Sequence, residues 1–197
     1  MDWFPGDFLW VFACTGEDDG QVRKVRNGYG TNMSFRREIF TKCGRFDTSL
    51  GARGGGRQGK SELIGEDTEL AMRIRRLTGM SVVYNPKVEV THRAYQYRLK
   101  RPFLMRRAYW EGYTKAIFQR RRDDNNSATA QLDPERTLLK RILFRLIPSY
   151  LAGALRLSAR DWKRLDVTLT ILTAVSIGYV RGRIQPLSTP EKLLCTG

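Results

Sequence analysis

Histidine and cysteine are almost missing from this sequence: it has one histidine, His92, and three cysteines, Cys14, Cys43 and Cys195. An odd number of thiols without metal-type spacing argues against a disulfide framework and suggests ordinary thiols in a reducing compartment. No leader is expected from this opening, since Met1-Asp2-Trp3-Phe4-Pro5 offers neither a basic n-region nor a long apolar run. The longest charge-free stretch of the second half, Val167–Val180, covers 14 residues. A bilayer span needs about 20, so this stretch is too short to cross alone and would lie in an interface or pack inside a bundle. Acidic residues are what the second half lacks most. Residues 98–197 hold 8 Asp+Glu against 20 Lys+Arg, whereas residues 1–97 hold 12 against 15. The surplus behind the formal charge of +15 therefore sits in the second half, where nucleic acid, anionic headgroups or pyrophosphate-linked substrates are the candidates. No helix-turn-helix, zinc or RRM signature accompanies the charge, which disfavours nucleic acid.

What is present suffices for a folded domain: 197 residues, 41% of them hydrophobic and 11% aromatic. Phe8-Leu9-Trp10-Val11-Phe12-Ala13 reads as a short strand, and Ser34 as the N-cap of a helix over Phe35–Lys42 that Gly44 stops. Gly65-Glu66-Asp67-Thr68-Glu69-Leu70 opens a second helix, with Leu70, Ile74 and Leu77 on one face and Gly79 at its end. Ser81–Tyr84 reads as a strand, Pro86 breaks it, and Val88–His92 alternates as a further strand piece. From Arg101 the pattern turns helical: Pro102 suits a helix start and the helix reaches about Arg122. After a polar stretch, Leu138, Leu139, Ile142, Leu143, Leu146 and Ile147 oppose Lys140, Arg141 and Arg145 on an amphipathic helix that Pro148 interrupts. A last helix covers roughly Asp161–Val180.

Three groups of residues could carry chemistry. Gly54-x-x-x-x-Gly59-Lys60-Ser61 fits the P-loop pattern, but neither a buried strand before it nor a helix from its Lys-Ser is in sight. A surface loop shaping the entrance to a site explains the glycines better. Glu66-Asp67 is either a pair of acids favoured by the positive end of a helix dipole, or a general base for an attacking hydroxyl at the rim of an α/β layer. Dipole stabilisation would limit its basicity. His92, 25 residues after Asp67, is either structural or a neutral imidazole brought back to ligate a divalent cation. In the second half, Tyr109, Trp110, Tyr113 and Phe118 read as core packing or as a substrate platform. The Leu138–Ile147 helix reads as a solvated basic face or as a helix lying in anionic headgroups.

The runs Gly30-Thr31-Asn32-Met33-Ser34-Phe35-Arg36-Arg37-Glu38, Gly44-Arg45-Phe46-Asp47, Gly65 to Leu70, and Val83-Tyr84-Asn85-Pro86 through Thr91-His92 share an order and spacing over residues 28–92. In this they resemble the C-terminal half of family 2 glycosyltransferases. The resemblance implies a GT-A fold, in which a nucleotide-binding βαβ half precedes an acceptor-side half. It makes Asp67 the catalytic base, and Glu66 the group that orients acceptor or donor beside it. Asn32, Met33, Ser34 and Gly65 would line the donor and acceptor pocket. His92 would be the third protein ligand of a Mg2+ or Mn2+ ion carried on the donor diphosphate. Arg106 to Ala116 also resembles members that work at membranes on lipid-linked acceptors. Such a single displacement needs one base and positive charge on the leaving diphosphate.

The family's Asp-x-Asp belongs to the first half, and this sequence contains none; the adjacent acids of Gly16-Glu17-Asp18-Asp19-Gly20 are no substitute. The expected organisation is α/β: a partial GT-A-like acceptor-side half over 1–100, a linking helix packed on it over 101–122, a polar linker over 123–135, and an all-α basic amphipathic region over 136–197. The expected activity is inverting transfer from a nucleotide-sugar donor to a hydroxyl, polysaccharide or lipid-linked phosphate acceptor. It would take place on the cytoplasmic face of an anionic membrane, with the chain a fragment or completed by another chain. The alternative is a non-catalytic basic module, bound to membrane or nucleic acid, derived from a transferase remnant.

Overall fold

The first apolar run is helical rather than extended. In the computed structural model, which describes residues 3–15, 20–48, 50, 64–91, 93, 95–123 and 133–185, Gly6–Phe12 forms 3-10 turns. Phe4, Phe8, Val11 and Phe12 recur at helical spacing and are all buried, so one face of the turns carries the apolar load. A short apolar run has no period of its own that separates strand from buried helix, and here the tertiary surroundings decided. Ala13, left-handed at φ 55°, ends the turns.

Strand β1, Arg23–Val25, pairs antiparallel with β2, Val82–Tyr84, in the register Arg23 with Tyr84, Lys24 with Val83 and Val25 with Val82. This is the whole sheet among the described residues. Val88–Thr91 forms no strand, and both Val88 and Val90 are exposed, so the alternation there has no partner to face. Helix α1, Arg37–Cys43, starts later than Ser34 would set it: its N-cap is Arg36, which makes no side-chain cap, while Gly44 stops it as expected. Helix α2, Glu66–Thr78, ends at Gly79 in the left-handed region. Ile39 and Cys43 of α1 pack on Leu70 and Ile74 of α2, while Leu77 stays exposed. Arg73 locks this pair, bonding Glu69 on its own helix and the carbonyls of Cys43 and Arg45.

Helix α3, Arg101–Asp123, and helix α6, Ala159–Ile184, form the backbone of the second half. Between them run α4 (Asp133–Arg141), a π-helical stretch (Ile142–Leu146) and α5 (Ile147–Leu155). Pro148 sits in the first turn of α5, and the preceding carbonyls take up the irregular π turn instead of breaking the helix. Helix α4 begins inside the stretch read from sequence as polar linker. Only part of the apolar stripe from Leu138 to Ile147 is used in packing: Ile142 is buried, whereas Leu139 and Leu143 are exposed.

Helices α3 and α6 lie parallel, because residue numbers rise together along the contact. Arg101 pairs with Asp166 at 3.2 Å, Gly178 lies on Tyr109, Gly182 lies on Tyr113 and Ala116, and Arg120 donates to the carbonyls of Gly182 and Gln185. Each helix presents small residues four apart, Ala108-Gly112-Ala116 against Ala174-Gly178-Gly182, all buried. This pattern lets backbones touch. A Cβ on Gly178 would stand 2.8 Å from the Tyr109 carbonyl carbon, and closer still to its oxygen. The principal core forms where the N-terminal 3-10 turns cover this pair: Phe4, Phe8, Val11 and Phe12 meet Leu104 and Ala108 of α3, Ile142, and Val167, Ile171 and Ala174 of α6. Arg141 and Asp7 close the edge at 3.2 Å.

The charge-free stretch Val167–Val180 belongs to a longer helix than its own length implied. At 26 residues α6 is, by length and composition alone, long and apolar enough to cross a membrane, and 44% of its most apolar window is buried inside the fold. Its buried side is locked onto α3, which carries Arg106, Arg107, Glu111, Lys115 and Arg120. Taking α6 across a bilayer in this packing would take those charges with it, at a cost of about 2.5–3.5 kcal/mol for each near the centre. This packing therefore counts against α6 crossing a bilayer while paired with α3.

Candidate active site

The acid pair opens α2 because Gly65 lets the chain turn there. Gly65 caps the helix at φ 103°, a conformation that side-chain-bearing residues rarely adopt, and its N–H donates to Glu66 Oε2 at 3.1 Å. The turn is also docked from outside. Ile64 N–H donates to Thr114 Oγ1 at 3.3 Å, and Phe118 lies against Gly65, so α3 holds the start of α2 in place.

Asp67 reaches across to the loop that precedes α1. Its Oδ1 accepts from the Thr68 N–H at 2.7 Å and from the Thr68 hydroxyl at 3.3 Å, and its Oδ2 accepts from the Gly30 N–H at 3.3 Å. The side chain is half-buried. Burial is the largest influence on its acidity and pushes its pKa up; Glu66 beside it pushes the same way. The hydrogen bonds from Thr68 and Gly30 pull down, but the net shift is upward. The helix-start position predicts a weakly basic carboxylate, whereas burial leaves its pKa raised.

Asn32, Met33 and Ser34 are not equivalent. Asn32 Nδ2 donates to the Val88 carbonyl at 2.9 Å, tying the loop to the segment that leads towards His92. Met33 packs over Gly28 within the loop. Ser34 is exposed, and no contact brings it to the carboxylates. His92 lies outside the described residues, as does the glycine-rich stretch from Gly54 to Ser61. Among the described residues no group of three or more His, Cys, Asp or Glu side chains converges, so these residues do not by themselves build a cation site.

Tyr29 belongs to the site although the sequence did not single it out. Burial raises its pKa first; among neighbouring charges, Glu111, Cys14 and Asp67 raise it further while Arg107 opposes them. Those groups therefore lie within electrostatic reach of the phenol. Arg107, Glu111, Thr114 and Phe118 recur at i, i+4, i+7 and i+11 along α3, a single helical face. Two of the four touch the start of α2, and the other two act on Tyr29. Lys115 bridges to Glu111 at 3.2 Å. Tyr109, Tyr113 and the small residues occupy the opposite face, against α6. Helix α3 is thus a partition, with Tyr29 and the start of α2 on one side and α6 on the other. The aromatic residues of α3 divide accordingly: Tyr109, Trp110 and Tyr113 cluster, with centroids 5.3–6.3 Å apart, while Phe118 stands alone at Gly65.

An α2-start carboxylate of raised basicity, bonded to a loop and walled by a helix with arginine and glutamate, suits proton abstraction from a hydroxyl. Comparison with known proteins supplies an independent observation. The chain is 28% identical over 191 residues to the glucosyl-dolichyl phosphate glucuronosyltransferase of Haloferax volcanii. This chain is similar to a glycosyltransferase. The match covers 94% of the chain but 56% of the relative, so the chain spans little more than half the length of the protein it matches. No family model matches the chain, and no solved structure matches it significantly. Arg107 and Glu111 lie within the Arg106 to Ala116 run already noted in the sequence, whereas Tyr29 reads there only as part of a turn. The signal for Arg107 and Glu111 lay in their four-residue spacing on α3; Tyr29, in the loop before α1, had none along the chain.

Proposed function

We propose that this chain is the acceptor-side half of an inverting, family 2-type glycosyltransferase of GT-A fold, working on a lipid-linked phosphate acceptor at a membrane surface. The observation that carries the reading is Asp67: a half-buried carboxylate of raised pKa, held at the start of α2 by the Gly30 N–H. The name of the Haloferax volcanii relative supports an acceptor whose sugar is attached through a phosphate to a polyprenol, and a donor that gives up a uronic acid sugar. In the proposed step an acceptor hydroxyl loses its proton to an Asp67 carboxylate oxygen as its own oxygen bonds to the anomeric carbon of a nucleotide-sugar donor. The bond from that carbon to the diphosphate breaks, and the nucleoside diphosphate leaves with the electron pair. Attack and departure on opposite faces invert the anomeric centre.

A raised pKa makes the desolvated carboxylate a stronger base towards the acceptor hydroxyl, and it remains ionised above that pKa. Glu66 orients acceptor or donor, and the loop with Asn32 and Met33 closes the floor. The Mg2+ or Mn2+ ion and its ligand His92 remain part of the reading through the family resemblance, as a source of positive charge on the donor diphosphate. We place the reaction on the cytoplasmic face.

The test is Asp67→Asn in a protein or complex that also carries the Asp-x-Asp half. Transfer to a glycosylated polyprenyl phosphate should be abolished while nucleotide-sugar binding by calorimetry stays nearly intact. Surviving transfer would sink the base assignment.

A further inference from the structure

The turn between α5 and α6 is built against its own interest as a soluble surface. It closes with the paired bonds of a Schellman motif, Leu157 N–H to the Ala154 carbonyl at 2.9 Å and Ser158 N–H to the Gly153 carbonyl at 3.1 Å. The residue that must turn left-handed in this motif is nearly always glycine, because a Cβ crowds the backbone there. Here it is Leu157, at φ 62°. No packing compensates: Leu157 is 88% exposed, and Leu155, two residues earlier, is 83% exposed. Two bare leucines at one tip, one of them in a position that disfavours any side chain, are not explained by the fold.

The surroundings indicate what covers them. Trp162, on the first turns of α6, is exposed beside the tip, and a stripe of exposed apolar residues on the preceding segment, Phe144 and Leu151, leads towards Leu155. Arg156, Arg160 and Lys163 are exposed in the same segment, and none of the three has an ion pair among the described residues. The acid that might have neutralised them, Asp161, is turned inward. It packs over Gly153 and lies 3.9 Å from Arg164, and its backbone N–H is held by the Ser158 hydroxyl. An apolar tip ringed by uncompensated cations, with an indole at its rim, has the composition that settles at the boundary between acyl chains and anionic headgroups.

We propose that the α5–α6 turn is a wedge that enters an anionic lipid bilayer, Leu155, Leu157 and Trp162 reaching the acyl boundary while Arg156, Arg160 and Lys163 take headgroup phosphates. This relocates the membrane contact from the Leu138–Ile147 helix, whose Ile142 is committed to the core. It does not rest on the catalytic reading, since nothing in it involves Asp67.

The test uses Leu157→Gly, because it separates the wedge from a structural role. Glycine suits the left-handed position, so the variant should unfold at the same temperature as the wild-type chain or higher. Its partitioning onto vesicles of phosphatidylcholine with phosphatidylglycerol, measured by flotation, should fall ~10-fold, the loss expected for withdrawing one leucine side chain from the acyl boundary. Replacing Arg156, Arg160 and Lys163 by Gln should abolish the preference for these vesicles over phosphatidylcholine alone and remove most of the salt dependence. Wild-type affinity in Leu157→Gly would overturn the proposal. So would a wild-type chain that ignores vesicles and instead self-associates through the tip, seen as a dimer in sedimentation equilibrium that Leu157→Gly dissolves.

Discussion

Gly178→Ala tests the joint on which the second half depends, and it does so through a sign. In an exposed helix this substitution stabilises, since alanine is favoured over glycine by about 1 kcal/mol. At Gly178 the new methyl group would meet the backbone of α3: 2.8 Å from the Tyr109 carbonyl carbon, 3.1 Å from its Cα, and nearer still to the carbonyl oxygen. Ordinary contact begins at 3.4 Å, so the carbon alone demands about 0.6 Å of separation and the oxygen well over an ångström. Alanine's Cβ methyl has no rotamer through which to escape, and helix backbones do not yield locally. The helices must move apart along a seam that also contains Gly112 and Gly182, and each loses contact with its neighbour. Overpacking of a tight interior costs about 1–3 kcal/mol, with backbone contacts at the upper end. After the propensity gain a net loss of about 2 kcal/mol remains. For a chain of this size that corresponds to a fall in Tm of ~4–8 °C. The assay is thermal unfolding followed by circular dichroism, with Thr173→Ala, exposed on the same helix, as control. An unchanged or raised Tm for Gly178→Ala would refute the close parallel packing of α3 and α6.

Further outcomes can be checked on the same preparations. Asp67 has a folded-state pKa above its ordinary 3.8, so the native state holds its proton more tightly than the unfolded chain. Its contribution therefore lowers stability as pH rises from the ordinary carboxylate range through the raised value. Asp67→Asn should remove that fall and be more stable than wild type at neutral pH in denaturant titrations; a less stable variant would contradict the desolvation argument. Gly65→Ala forces a left-handed φ on alanine and brings its methyl to 3.2 Å from Phe118, so it should cost about 2 kcal/mol, part of which Phe118→Ala restores in the double variant. Arg73→Ala frees the carbonyls of Cys43 and Arg45 and breaks the pair with Glu69, and should cost about 2 kcal/mol in chemical unfolding.

The features that were legible in the sequence are those set by neighbours along the chain. Gly44 and Gly79 end α1 and α2 because left-handed or open backbone is local chemistry, and the acid pair opens α2 because a glycine precedes it. Pro102 marks the start of α3 for the same reason. What only tertiary structure decided involves the removal of water or the presence of a distant partner. Phe8–Phe12 became 3-10 turns because α3, α6 and Ile142 offered a helical face something to cover. Val88–Thr91 is not a strand because, among the described residues, no strand lies beside it, although its alternation is that of a strand. The small-residue seam of α3 and α6 was written in both segments, yet Ala116 and Gly182, 66 residues apart, become neighbours only once the intervening helices fold back. The basicity of Asp67 shows the difference most clearly. Its place at a helix start was a local fact that favoured the charged form. Burial beneath the Gly30 loop, beside Glu66, favoured the neutral form more, and that balance exists only when the chain is folded.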